Sequence, residues 1–78
     1  MNWLVEIAKL LKEKKGIKVK ISLETNFRNL GLDSLELIDL IILAEEEYKF
    51  RIPDNKLSDI NTVQDLIIII EEVVNSNS

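Results

Sequence analysis

The chain has 78 residues, 46% of them hydrophobic, and it contains neither cysteine nor histidine. A chain of this length forms one domain at most and needs a dense apolar core to be stable. It can form no disulfide, and it lacks both the commonest general base and the commonest metal ligand. We therefore predict a single domain over residues 1–78 that is a binding, carrier or interaction module, with no metal site, rather than an enzyme.

The two signs of charge are segregated along the chain, although the net charge is only −4. Residues 1–20 carry six Lys and two Glu, a net of +4, whereas residues 21–78 carry four basic and twelve acidic residues, a net of −8. An acidic body repels phosphate backbones, which argues against nucleic acid as a partner. No uninterrupted apolar run is long enough for a membrane span, and no signal peptide is recognisable. We expect a cytoplasmic monomer that does not bind membranes.

The first two segments are predicted to be a helix and a long loop. Apolar residues recur at helical spacing over residues 3–15, with Asn2 as a suitable N-cap and Gly16 after the last turn. Residues 17–23 alternate as a strand does, but no second strand exists to pair with them. We therefore interpret residues 17–33 as an ordered loop pinned by its apolar side chains, namely Ile17, Val19, Ile21, Leu23, Phe27, Leu30 and Leu32.

A second helix is predicted to begin at Asp33 and Ser34 and to run to about Tyr48. Asp33 is a suitable N-cap, and the apolar residues that follow keep helical spacing. Pro53 disfavours a helical conformation in the residue before it, so the chain must restart there. Residues 54–59 are then long enough for one or two helical turns only.

The last helix is predicted to start at Thr62. Thr62 and Asp65 have the spacing of a capping box, with the shorter Asp in place of Glu. The four consecutive isoleucines of residues 67–70 favour a strand by propensity. The cap, the length of the segment and the shortage of pairing strands favour a helix instead. Residues 75–78 should fray, and the fold class is all-α.

Ser34 is the serine with the most distinctive setting. It follows a glycine-containing loop and lies beside Asp33 at the start of a helix, where free backbone N–H groups favour a phosphate ester. Taken alone, such a pair more often caps a helix than binds a phosphate. The neighbouring sequence decides between the two interpretations.

Residues 25–40 resemble the attachment signature of acyl carrier proteins. The pattern is a phenylalanine, then Leu-Gly-Leu-Asp-Ser-Leu at residues 30–35, then an amphipathic acidic helix. Three later segments also match the family pattern: Glu-Glu-Glu-Tyr at residues 45–48, Ile-Pro-Asp at 52–54, and Thr-Val-Gln-Asp-Leu at 62–66. The resemblance covers nearly the whole chain.

The resemblance implies a four-helix bundle with a long loop between helices one and two and a short third helix. It also implies a 4′-phosphopantetheine arm on the Ser34 hydroxyl, flanked by Asp33 and Leu35 and transferred from coenzyme A by a phosphopantetheinyl transferase. Acyl groups then travel as thioesters on the thiol of the arm to acyl-loading and acyl-processing enzymes of fatty-acid, polyketide or related pathways. The missing cysteine is no obstacle, because the cofactor supplies the sulfur.

Two surfaces follow from this interpretation. An exposed stripe of the second helix would dock enzymes that carry basic patches, although a run of acidic residues is often only a solvated face. Its predicted members are Leu35, Glu36, Asp39, Ile42 and Glu46. An apolar cleft between the second, short and last helices would receive the acyl chain, and its bulky side chains predict a tight cleft that shields long chains weakly. Its predicted members are Leu37, Leu40, Ile41, Leu57, Ile60, Leu66 and Ile67.

Three alternatives were weighed against an acyl carrier. The chain could be a small helical adaptor that never receives a prosthetic group. A peptidyl carrier is disfavoured by Asp33, since those carriers usually have Gly or His before the serine. A small hydrolase is the weakest alternative, because no base is within reach of any serine.

Overall fold

The computed structural model describes residues 2–76, which form three α-helices and two 3₁₀ helices and contain no β-strand. The α-helices are α1 (Trp3–Lys15), α2 (Ser34–Tyr48) and α3 (Val63–Ser76). The first 3₁₀ helix, Phe27–Leu30, lies in the long loop and is called the loop helix; the second, Asp54–Asp59, is called the short helix. The predicted all-α class is confirmed, with α1, α2, the short helix and α3 as the four helices.

The helix starts confirm the predicted caps. The Asn2 side chain accepts a hydrogen bond from the Val5 N–H, and Gly16 ends α1 in the left-handed conformation (φ 68°) that favours glycine. At the start of α3, the N–H of Asp65 donates to the Thr62 hydroxyl over 3.2 Å. The Asp65 carboxylate in turn accepts from the N–H groups of Thr62 and Asn61, and these two bonds lower the pKa of Asp65.

The core lies where α1 packs against α2 and α3. It removes apolar surface from water, which is the main stabilising contribution in a domain of this size. Side chains from all three helices and from the connecting segments take part. The buried set is Ile7, Leu10, Leu11, Phe27, Leu32, Leu40, Ile41, Ala44, Phe50, Ile52, Ile60, Val63, Leu66, Ile69 and Ile70.

Backbone hydrogen bonds attach the long loop to the start of α3. The Phe27 N–H donates to the carbonyl of Asn61 over 3.0 Å, and the Val63 N–H donates to the carbonyl of Thr25 over 2.9 Å. The Gln64 N–H donates to the carbonyl of Leu23 over 3.0 Å. The loop therefore satisfies donors in the first turn of α3 that have no partner within the helix itself.

Three aromatic rings join the start of α1 to the end of α2. The ring of Trp3 meets those of Tyr48 and Phe50 edge to face, at centroid distances of 5.2 and 6.0 Å. The Tyr48 hydroxyl donates to Glu6 over 2.6 Å. Burial and this bond raise the pKa of Tyr48, so the hydroxyl remains a donor at neutral pH.

Two of the side chains expected to pin the long loop do not do so. Val19 and Leu23 do not pin the loop, because 60% and 42% of these residues are exposed to solvent. Strand-like alternation at these positions therefore does not mark a buried face. The helix α3 is described as far as Ser76. The fraying expected of residues 75–78 stays a prediction, and residues 77 and 78 lie outside the described part of the chain.

Candidate functional site

Ser34 is the first residue of α2 and is exposed to solvent. The N-cap is its neighbour Asp33, whose side chain accepts a hydrogen bond from the Glu36 N–H over 2.9 Å. Since Asp33 caps the helix, the Ser34 hydroxyl is not needed for capping, and it has no hydrogen-bond partner within residues 2–76. The Ser34 hydroxyl is therefore accessible from solvent.

The backbone around Ser34 suits a phosphate ester. The first intrahelical bond runs from the Leu37 N–H to the Asp33 carbonyl over 2.9 Å, and Asp33 also accepts from Glu36. The N–H groups of Ser34 and Leu35 have no such partner among the described residues and lie at the positive end of the helix dipole. Gly31 turns the chain just before this point with φ 84°, a conformation that favours glycine.

A cavity of about 470 Å³ opens beside Ser34, between α2, the long loop and the short helix. Its size lies within the range of small-molecule sites, about 300–1,000 Å³. The apolar part of its wall consists of Phe27, Leu32, Leu37, Ile38, Ile41, Leu57 and Ile60. The polar part consists of Arg28, Asp33, Ser34, Asp54, Ser58 and Asn61.

The cavity contains part of the predicted acyl cleft. Four of the seven predicted residues line it: Leu37, Ile41, Leu57 and Ile60. Leu40, Leu66 and Ile67 do not line it, and burial alone does not explain this, since Ile41 and Ile60 are buried as well and do line the cavity. The tight cleft that shields long acyl chains weakly stays a prediction.

Residues that sequence reasoning missed line the same cavity. Ile38 and Phe27 contribute apolar wall, and Arg28 lines both this cavity and a shallower one that contains Gly31 and Ser34. The helical position of Ile38, four residues after Ser34, was the available signal, since residues four apart lie on one face of a helix. Nothing in the sequence pattern separates Arg28 from the other exposed loop residues.

The five predicted docking residues all lie on the exposed surface of α2. Leu35 is 78% exposed, more than any other large hydrophobic residue in the described part of the chain, and Ile42 is 45% exposed. Glu36, Asp39 and Glu46 are exposed as well. These five residues are called the docking stripe below.

The charges of the docking stripe are not all free. The Lys15 ammonium at the end of α1 donates to Glu36 over 3.1 Å and to Asp39 over 2.6 Å. Hydrogen bonds to Asp39 and then to Glu36 raise the pKa of Lys15. Another acid of α2, Glu45, accepts the Ile52 N–H over 2.7 Å and so holds the segment that leads to the short helix. The acidic run is therefore partly structural.

Of the other serines, Ser58 also lines the cavity beside Ser34, whereas Ser22 does not. The Ser22 hydroxyl shares a hydrogen bond with the Thr25 hydroxyl over 3.2 Å. No group of three or more acidic side chains in the described residues is arranged to hold a metal ion. None of the described helices has the length and apolar character needed to cross a membrane.

The comparisons with known proteins agree on one family. The family described as "Phosphopantetheine attachment site" matches residues 5–70. An acyl carrier protein of Trieres chinensis is 40% identical over 67 residues, which cover 83% of this chain and 84% of that protein. One of Phaeodactylum tricornutum is 42% identical over 53 residues, 67% of this chain and 70% of that protein. "Acyl carrier protein SF2, chloroplastic" of Brassica campestris is 32% identical over 71 residues, 88% of this chain but only 53% of that protein.

The fold has a counterpart among solved structures. The crystal structure of an acyl carrier protein from Thermotoga maritima superposes with a TM-score of 0.88 at 32% sequence identity. The match covers 95% of this chain and 88% of that one.

The family match extends from residue 5 to residue 70 and includes the serine at the start of α2, so the class of protein is a carrier of a phosphopantetheine arm. The chain belongs to the acyl carrier protein family. Its function is to carry acyl groups on a covalently attached 4′-phosphopantetheine, and it is not itself an enzyme. Membership implies interaction with a phosphopantetheinyl transferase and with acyl-processing enzymes.

Proposed function

We propose that Ser34 bears the phosphopantetheine arm of this acyl carrier. The observation that supports this most strongly is the exposed Ser34 hydroxyl, which is not used as a cap and lies at the rim of the 470 Å³ cavity. Ser58 also lines the cavity, but it belongs to the short helix rather than to the start of an α-helix. A phosphate on Ser34 would lie next to the unpaired N–H groups of α2, whereas one on Ser58 would have no comparable donors.

The attachment itself is a phosphoryl transfer inside the transferase. The Ser34 oxygen forms a bond to the phosphorus next to the pantetheine of coenzyme A. The bond to the second phosphate breaks, and the adenosine-containing half leaves with that electron pair. The hydroxyl proton passes to a base of the transferase, since the neighbouring carboxylate of this chain, Asp33, is engaged as the N-cap of α2. Once attached, the arm supplies a thiol that carries acyl groups as thioesters.

The residues of this chain present and hold the arm. Asp33 fixes the start of α2 through its bond to the Glu36 N–H, so Ser34 keeps a constant position and faces outward. The N–H groups of Ser34 and Leu35 favour the negative charge of the phosphodiester. Arg28 adds a positive charge at the cavity rim.

Intact-mass measurement tests this proposal directly. The purified chain is incubated with a phosphopantetheinyl transferase, magnesium and coenzyme A. We expect a gain of one phosphopantetheinyl group, and fragmentation should locate it on the peptide that contains Ser34. An unchanged mass would favour the alternative of a helical adaptor without a prosthetic group. A group found on Ser58 or Ser22 would contradict the assignment of the site.

We further propose that the docking stripe receives partner enzymes. The exposure of Leu35 and Ile42 beside exposed carboxylates supports this, since an enzyme with Lys or Arg around its active-site mouth would be steered to such a surface. Each rim charge contributes only about 0.2–1 kcal/mol, so the binding is transient, as a shuttling carrier requires.

The cavity beside Ser34 is proposed to receive the acyl chain. Leu57→Trp should fill much of the space, because Leu57 is a wall residue on the short helix. When an octanoyl group is loaded on the arm, the amide chemical shifts of Leu37, Ile38 and Ile60 should change less in Leu57→Trp than in the wild type. The thioester of the variant should hydrolyse severalfold faster. NMR spectra of the holo and octanoyl forms and a hydrolysis time course give both values.

Leu23→Trp is the matched control, since Leu23 is partly exposed and does not line the cavity. It should leave the octanoyl-dependent shifts and the hydrolysis rate as in wild type. If Leu57→Trp also leaves them unchanged, the acyl chain does not enter this cavity.

The pathway, the location and the oligomeric state are proposed at a coarser level. Fatty-acid, polyketide and related pathways all use carriers of this class, and Asp33 before the serine favours an acyl over a peptidyl cargo. We propose a monomer in the cytoplasm; an organelle is the alternative, because the Brassica relatives are named chloroplastic. Fractionation of the source cells decides the location.

A further inference from the structure

Lys15 is the residue of α1 that reaches the docking stripe. Its ammonium lies 3.1 Å from Glu36 and 2.6 Å from Asp39. Only 13% of the Lys15 side chain is exposed, against 50% for Glu36 and 58% for Asp39. The two carboxylates therefore face solvent, while most of the Lys15 side chain that reaches them is covered by neighbouring residues.

The contact of Lys15 with Glu36 and Asp39 lies close to Ser34, the proposed attachment site. Lys15, Glu36 and Asp39 line a shallow depression together with Asp33 and Leu35, the two neighbours of Ser34. An enzyme that docks on the docking stripe would cover this depression. Its basic side chains would meet carboxylates that already hold a cation from their own chain.

The other lysines near the end of α1 do not share this geometry. Lys14 is exposed and has no ion pair within residues 2–76. Its charge, its distance from the helix end and its helix propensity match those of Lys15 closely. Lys14 is therefore a suitable reference for the effect of the ion pair alone.

We propose that Lys15 competes with the basic side chains of docking enzymes for Glu36 and Asp39. It thereby determines how much these two carboxylates contribute to docking. This inference rests on the proposed docking stripe. An enzyme that uses these two carboxylates must first displace Lys15, and Lys15 also reduces the local charge that steers it. An enzyme that binds Ile42 and Glu46 instead is affected less, because those residues have no ion pair with Lys15. Lys15 thereby discriminates between partners.

The test compares how fast a phosphopantetheinyl transferase modifies the wild-type chain, Lys15→Met and Lys14→Met. Methionine keeps an unbranched stem of similar length in both variants. At low ionic strength we expect kcat/KM for Lys15→Met to exceed that for Lys14→Met by about threefold. High salt should shrink the difference, because screening weakens both the ion pair and the steering. Circular dichroism should show the same helix content in all three proteins.

A second comparison shows whether the effect passes through the two carboxylates. In the Glu36→Gln and Asp39→Asn double variant, the Lys15→Met and Lys14→Met substitutions should change kcat/KM equally. A persistent advantage for Lys15→Met in that background would overturn the proposal.

Two further outcomes would also overturn it. Equal rates for Lys15→Met and Lys14→Met in the wild-type background would make the contact a structural tie between α1 and α2. A slower Lys15→Met would mean that Lys15 positions the carboxylates for the enzyme rather than competing with it. Both leave the proposed function intact, whereas a wild-type chain that is never modified overturns the proposed function and this inference together.

Discussion

Ser34→Ala is expected to abolish attachment of the phosphopantetheine arm. The substitution removes the only atom of residue 34 that can form the phosphoester bond. Incubation with a transferase and fluorescent coenzyme A should label the wild-type chain fully and the variant not at all. Because each molecule either carries the bond or lacks it, in-gel fluorescence and intact mass should agree.

The variant should fold as the wild type does, since Asp33 and not Ser34 caps α2. Alanine is also a better helix former than serine, so the free energy of unfolding should change by less than about 1 kcal/mol. Ser58→Ala is the matched control, because Ser58 lines the same cavity and should still leave the chain fully labelled. Labelling of Ser34→Ala at the wild-type level would refute the assignment of Ser34 as the attachment site.

Phe27→Ala is expected to cause the largest loss of stability among single substitutions in the loop. The ring is 1% exposed, and the residue lies at the start of the loop helix, where its N–H donates to Asn61. Truncating a buried phenylalanine costs about 3–5 kcal/mol, from lost transfer energy and the cavity left behind. That loss is a large part of the total free energy of unfolding of a domain of this size, which is about 4–12 kcal/mol. Urea unfolding followed by circular dichroism measures the loss.

Val19→Ala tests the contrast within the same loop. Both positions are expected from the sequence to pin the loop, but Val19 is 60% exposed, so its truncation should change the free energy of unfolding by no more than about 0.5 kcal/mol. Should Val19→Ala prove as costly as Phe27→Ala, the loop would be packed differently from the description above.

The helices were predictable from the sequence, and the sequence also singles out Ser34 as the candidate site. Helix caps and apolar periodicity act over three or four residues, so local sequence determines where α1 starts and where α2 begins at Ser34. The capping box at Thr62 likewise outweighs the strand propensity of four consecutive isoleucines. The family resemblance then assigns a function to a serine whose local chemistry alone fits plain capping equally well.

The side chains that surround Ser34 depended on the tertiary structure. Successive helical residues point about 100° apart, so the period identifies a broad apolar face but not which of its members reach the core. Leu40 fills the core, whereas Ile38, two residues earlier, lines the cavity. The pairing of Lys15 with Glu36 and Asp39 joins residues 21 and 24 positions apart. Such contacts depend on how α1 and α2 approach each other, which the packing of the whole core decides and no local pattern encodes.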